Sequence, residues 1–179
     1  MLPNPLHPAV VHFPVVLAFL LPVSAVVAIW AISKGSRASR AWLVPLSIAA
    51  ALSLSTWVAV ETGEGQDRRI ERFVQEKPLD AHQDGAEMFL TASIVVMLVT
   101  AGGLVRGGMG TISRAAASVA SVALVAGAAY VGHTGGQLVY KYGAATAYTI
   151  PTAAPITEAG QGVTALRAPE AGNRTDKDE

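Results

Sequence analysis

AVVHFPVVLAFLLPVSAVVAIWAI, residues 9–32, carries no charged side chain in 24 positions. A helix of that length crosses an apolar layer of roughly 30 Å, so the stretch predicts a membrane span. Nothing charged precedes it, from Met1 onward. Without a basic segment ahead of its apolar run it does not read as a cleaved secretory signal, and it is expected to remain as the first helix.

Three more uncharged stretches follow. Ala41 to Val60 lies between Arg40 and Glu61, and Met88 to Val105 ends at Arg106. Ala115 to Tyr140 is bounded by Arg114 and Lys141. The third is expected to extend back as a helix through Glu87 toward His82. The first two thirds of the fourth are nearly all Ala, Ser, Val and Gly, small residues that let helices approach closely in lipid. Pro8 suits a first helical turn, while Pro14 and Pro22 are expected to loosen or kink the first span, and Pro45 falls near the start of the second.

Composition agrees with this division. Hydrophobic residues make up 51% of the chain and charged residues 15%, with a mean hydropathy of +0.42. The expected fold is therefore all-α, a four-helix transmembrane bundle over residues 1–145. Asp67 to Gln75 places Ile70, Phe73 and Val74 at helical spacing, which predicts a short amphipathic helix on the membrane surface. Residues 146–179, rich in Ala, Thr, Pro and Gly and ending in NRTDKDE, are expected to form an extended or disordered tail. Trp30, Trp42 and Trp57, with Tyr130, Tyr140 and Tyr142, mostly fit aromatic belts at the two interfaces.

Basic residues concentrate on the cytoplasmic side of membrane proteins. The connector after the first span holds Lys34, Arg37 and Arg40 without an acid, and the one after the third is bounded by Arg106 and Arg114. Both are expected inside. The connector after the second span mixes Arg68, Arg69, Arg72 and Lys77 with seven acids and is placed outside, as are both termini.

Several function classes drop out. The chain has no cysteine, which excludes disulfides, thiolate zinc sites, cysteine-ligated iron–sulfur clusters, cysteine nucleophiles and the attachment of a c-type haem. Net charge is zero and the basic residues form no stripe, so no nucleic-acid partner is expected. Neither a nucleophile elbow nor an H-E-x-x-H zinc motif is present. Without inverted repeats, four spans give little from which to build alternating access for transport.

Four histidines remain, and all map to one end of the predicted bundle. His7 and His12 open the first span, His82 precedes the third and His133 lies late in the fourth. An ionisable residue at membrane depth is costly unless paired or metal-bound, so such a cluster reads as a functional site. His7 and His12 are five residues apart, about 140° and about 7.5 Å on a helix, so they address different neighbours. One arrangement pairs His12 with His133 deeper in the membrane and His7 with His82 nearer the surface. Each pair suits axial ligation of a b-type haem, one or two per chain.

The surroundings admit two readings each. Gly132, Gly135 and Gly136 around His133, and Gly63 and Gly65 after the second span, leave room for a macrocycle or for close helix packing. Arg68, Arg69 and Arg72 suit haem propionates or the neighbouring acids. Glu61 and Glu87 suit orienting partners for imidazole N–H groups, or interfacial carboxylates in water. His7 also fits a helix cap and His82 a solvated loop residue.

HPAVVHFP (His7 to Pro14), ETGEG after the second span, His82 and GHTGGQLVYKYG (Gly132 to Gly143) resemble the bacterial inner-membrane family called domain of unknown function 2231. The resemblance covers roughly residues 5–145. It implies four spans with the histidines in signature positions, sometimes in the company of c-type cytochrome modules. The expectation is a haem-binding electron-transfer subunit in contact with membrane lipid and a c-type cytochrome or a larger membrane complex. The alternatives are an assembly subunit of a respiratory or photosynthetic complex, and a small copper or zinc site built from the same imidazoles.

Overall fold

A computed structural model describes residues 6–65, 70 and 74–149 of the chain, and every regular element among them is a helix. Four helical stretches are long and apolar enough to cross a membrane. The first comprises α1 (His7–Val10) and α2 (His12–Ser33), and the second α3 (Ala38–Ala41) and α4 (Leu43–Glu64). The third and fourth are single helices, α5 (Glu76–Gly102) and α6 (Gly108–Tyr140), and a short α7 (Thr146–Thr149) follows.

Prolines account for the two interruptions. Pro14 has no N–H to offer the Val10 carbonyl, and Pro45 has none for that of Ala41. The spans break three residues ahead of each, at Val11 and Trp42. Pro22, where a kink was expected, lies inside α2 without ending it. The third span begins at Glu76, ahead of His82, so the expected backward extension is present.

α2 packs on α4 and α6, and α5 packs on the same two, so the four long helices form a ring in which only neighbours touch extensively. Such an up-down-up-down bundle has its core along the central axis. Ala18, Leu21, Ala49, Leu52, Phe89, Val96, Leu124 and Ala128 fill the half nearer the histidines, and Ala25, Ala28, Trp42 and Ala117 the other half. The outward faces are as apolar as the core: Phe13, Phe19, Val26, Trp30, Leu54, Leu98 and Val119 are all exposed. A helix apolar on every side requires lipid around it.

Hydrophobic pressure does not drive helices together in lipid, so close packing must do so. Small residues achieve this at the seams, and their hydroxyls are satisfied locally. Ser53, Thr56, Ser93, Thr100 and Ser121 are buried. Each donates to a carbonyl three or four residues back on its own helix, at 2.7–3.1 Å.

Trp42 departs from the belt position expected of it. Its ring is fully buried, and its Nε1–H donates to the Thr100 carbonyl at 2.8 Å. Gly103 makes this possible, because a Cβ there would collide with the indole. Ile70 and Val74 of the expected surface helix pack with Leu79, Leu138 and Ala144 at the histidine end. Most of that segment, 66–69 and 71–73, lies outside the described residues, as does the tail from 150 on.

Trp42→Phe removes the N–H together with the five-membered ring of the indole and is expected to cost about 1–3 kcal/mol. Trp42→Ala leaves a cavity and is expected to cost about 3–5 kcal/mol. Reversible unfolding in mixed micelles measures both, and equal costs would show that the ring's volume contributes nothing.

Candidate functional site

Two of the four histidines come together. His7 stands in the first turn of α1 and His82 in the second turn of α5, on elements that lie diagonally across the ring of helices. Their ring centres are 6.4 Å apart and their planes are nearly perpendicular, at 85°. Neither ring is held by its own helix; each is fastened to the helix that completes its hairpin.

His7 is held by the end of α4. Its Nδ1–H donates to the Ala59 carbonyl at 2.8 Å, and the Thr62 hydroxyl lies 3.5 Å from the same nitrogen. The ring lies over Gly63, where an added Cβ would sit 3.2 Å from Cε1. His82 is held in the same way by α6. Its Nδ1 lies 3.0 Å from the Thr134 hydroxyl oxygen, and a Cβ on Gly135 would approach its Cε1 to 3.0 Å.

These contacts fix the tautomers. A carbonyl oxygen only accepts, so the proton on neutral His7 belongs to Nδ1. Thr134 spends its single hydrogen on the Val131 carbonyl at 3.0 Å, so it accepts from His82, whose proton is also on Nδ1. Both Nε2 atoms then carry lone pairs, and neither has a hydrogen-bond partner among the described residues. A metal-ligating histidine has this form, with one nitrogen tied to a carbonyl or hydroxyl and the other bare.

The other two histidines face away. His12 and His133 are exposed, and no contact joins them among the described residues. The Gln137 side-chain amide donates to His133 Nε2 at 2.9 Å, occupying that lone pair. Glu61 and Glu87 are exposed too, without a described contact to any imidazole. Gly132 and Gly136 face open space beside Gly135. Arg68, Arg69 and Arg72 lie outside the described residues. No group of three or more metal-ligating side chains occurs among the described residues.

Reading the sequence missed the holders of the rings, Ala59, Thr62 and Thr134. A signal for them exists in hindsight. A Thr-Gly dipeptide closes the second span (Thr62-Gly63) and recurs late in the fourth (Thr134-Gly135).

Because the rings rest against glycine, Gly63→Val and Gly135→Val are each expected to displace an imidazole and to lower stability by about 1–3 kcal/mol. Gly132→Ala, facing open space, is expected to stabilise α6 by up to about 1 kcal/mol through helix propensity. Thermal melts of the three variants in detergent check this. A neutral Gly135→Val would show that the ring is not seated there.

Neither the curated proteins nor the solved structures contain a match to this chain. A family model does match it, over residues 3–148, which takes in every described span and both imidazole seats. The chain belongs to the family described as "Predicted membrane protein (DUF2231)".

Proposed function

We propose that this membrane protein is a b-type haem-binding electron-transfer subunit, in which His7 and His82 would hold the haem iron. The observation that carries the reading is the tethered pair of imidazoles with two bare Nε2 atoms. Two imidazoles whose ring centres lie about 6 Å apart are close enough to share one metal at about 2 Å from each nitrogen. The observed 6.4 Å agrees with that spacing.

The donor set favours haem over a bare ion. Structural zinc takes four protein ligands, and catalytic zinc takes three with a water. Here two imidazoles stand together without a third donor among the described residues. A porphyrin brings four equatorial nitrogens of its own and asks the protein for no more than two.

The chain's own residues then have defined tasks. His7 and His82 present Nε2, while Ala59, Thr62 and Thr134 hold Nδ1–H and thereby fix ring orientation and ligand basicity. The apolar bundle beneath the pair excludes water. Bound there, haem iron would supply one-electron exchange. Lys34, Arg37, Arg40, Arg106 and Arg114 lie at the opposite end, which favours a bacterial inner-membrane orientation with the pair and both termini on the periplasmic side. A periplasmic c-type cytochrome or a larger membrane complex is the partner that suits such a site.

Membranes from haem-replete cells expressing the chain are expected to show a Soret band and the split bands of a reduced low-spin haem. Thr134→Val is expected to weaken haem affinity about 10–100-fold through loss of the ring's orientation. His7→Ala and His82→Ala should abolish the low-spin spectrum, while His12→Ala and His133→Ala leave it unchanged. Absence of any Soret band overturns the reading, and stable copurification with a larger complex in that case would favour an assembly subunit.

A further inference from the structure

The seats of His7 and His82 are built from the same kinds of group, although the nearer oxygen is a carbonyl for His7 and a hydroxyl for His82. His7 meets a carbonyl at Ala59, a hydroxyl at Thr62 and a bare Cα at Gly63. His82 meets the Thr134 hydroxyl at 3.0 Å and the bare Cα of Gly135, and the Val131 carbonyl that Thr134 bonds also faces its ring, so the same kinds of group recur at the same spacing along the helix. Adding 75 carries His7 onto His82, and adding 72 carries Thr62-Gly63 onto Thr134-Gly135.

Burial obeys the same two offsets. The buried residues of α2, Pro14, Ala18, Leu21 and Ala25, map by 75 onto Phe89, Ser93, Val96 and Thr100, all buried. Ala28 maps onto Gly103, also buried. From α4, Pro45, Ala49, Leu52 and Thr56 map by 72 onto Ala117, Ser121, Leu124 and Ala128, all buried, while the buried Ser53 and Ala59 map onto the half-buried Val125 and Val131. Spacings of three and four recur on any bundle helix, so the informative quantity is the register. That register was set by the imidazoles and their seats, not by burial. The ring of contacts has the same symmetry, since a half-turn about its axis exchanges α2 with α5 and α4 with α6.

We propose that the chain is two tandem copies of one histidine-bearing helix hairpin, and that His7 and His82 are the same residue of that unit meeting on a pseudo-two-fold axis. An axial site of this kind takes a single metal centre, bound by two equivalent imidazoles on opposite sides; this last step rests on the haem reading above. Both hairpins begin at the histidine end, so the repeat is parallel, with its axis along the membrane normal. The other two histidines support this. His12 maps onto Glu87 and His133 maps onto Glu61, so neither has a histidine counterpart from which a second axial pair could form.

The test has two arms on the full chain in detergent. In protein from haem-deficient cells, histidine-selective nitrogen NMR should find both rings as Nδ1–H tautomers. Thr62→Val and Thr134→Val should each perturb most the ring seated beside it. Opposite tautomers, or a perturbation larger at the far ring than at the near one, overturn the equivalence of the two hairpins. In the second arm, haemin titration should saturate at one per chain, and His7→Gly and His82→Gly should lose low-spin character equally and regain it equally with added imidazole. Two haems per chain, or unequal loss, overturn the axial site. If haemin does not bind while the tautomers match, the haem reading falls and the duplication stands.

Discussion

In an apolar solvent a polar group must find its partner inside the protein, and this constraint organises the whole structure. Ser and Thr hydroxyls in the seams return to their own helices, so small polar residues pack as if they were apolar. The Trp42 N–H closes on the Thr100 carbonyl near the end of α5. Under the same constraint His7 and His82, at the membrane surface, are each tied through one nitrogen to a neighbouring helix. The second nitrogen of each has no hydrogen-bond partner among the described residues.

Much of the fold was legible because charge and proline are local signals. Four uncharged stretches bounded by Arg40, Glu61, Arg106, Arg114 and Lys141 marked the spans, and Pro14 and Pro45 lie just past the two helix breaks. Span ends were less legible. The third helix begins at Glu76, twelve residues ahead of the uncharged run, because acids and a histidine at the membrane surface do not oppose helix formation. Trp42 was placed at an interface since most membrane tryptophans sit there. Its burial depends on Gly103, sixty-one residues away, and a contact of that kind has no local signature.

The site was half legible. That the histidines share one end follows from counting helix reversals, and the pairing of His7 with His82 was one of the two pairs in the arrangement drawn from the spacing. Depth along the sequence favoured His12 and His133, which lie further into apolar stretches. Depth, however, does not specify which face of a helix a residue occupies. His12 follows the break at Val11, and His133 precedes Thr134, so both lie on outward faces while the neighbouring His7 and Thr134 lie inward. One residue of displacement turns a helical side chain by about 100°, enough to exchange core for lipid.

The hairpin repeat was hidden for a related reason. Under the offset of 72, α4 and α6 share Ala51 with Ala123, Leu52 with Leu124, Thr62 with Thr134 and Gly63 with Gly135, and under that of 75 α2 shares no residue with α5, because a lipid-facing surface accepts any apolar residue. What the halves retain is register, and register is visible only once burial is known. Divergence has accumulated where symmetry is not needed. Trp42, which bonds to α5, corresponds to Arg114, which bonds instead to the Gly103 carbonyl at the end of its own hairpin. Val10 and Ser55 correspond to Gly85 and Gly127, which help to line an apolar groove of about 700 Å³ on the outer side of α5 and α6. The outer faces have thus become unlike, whereas the two seats on the axis have stayed alike. That contrast is expected where a shared ligand constrains both seats at once and lipid constrains the remainder only to be apolar.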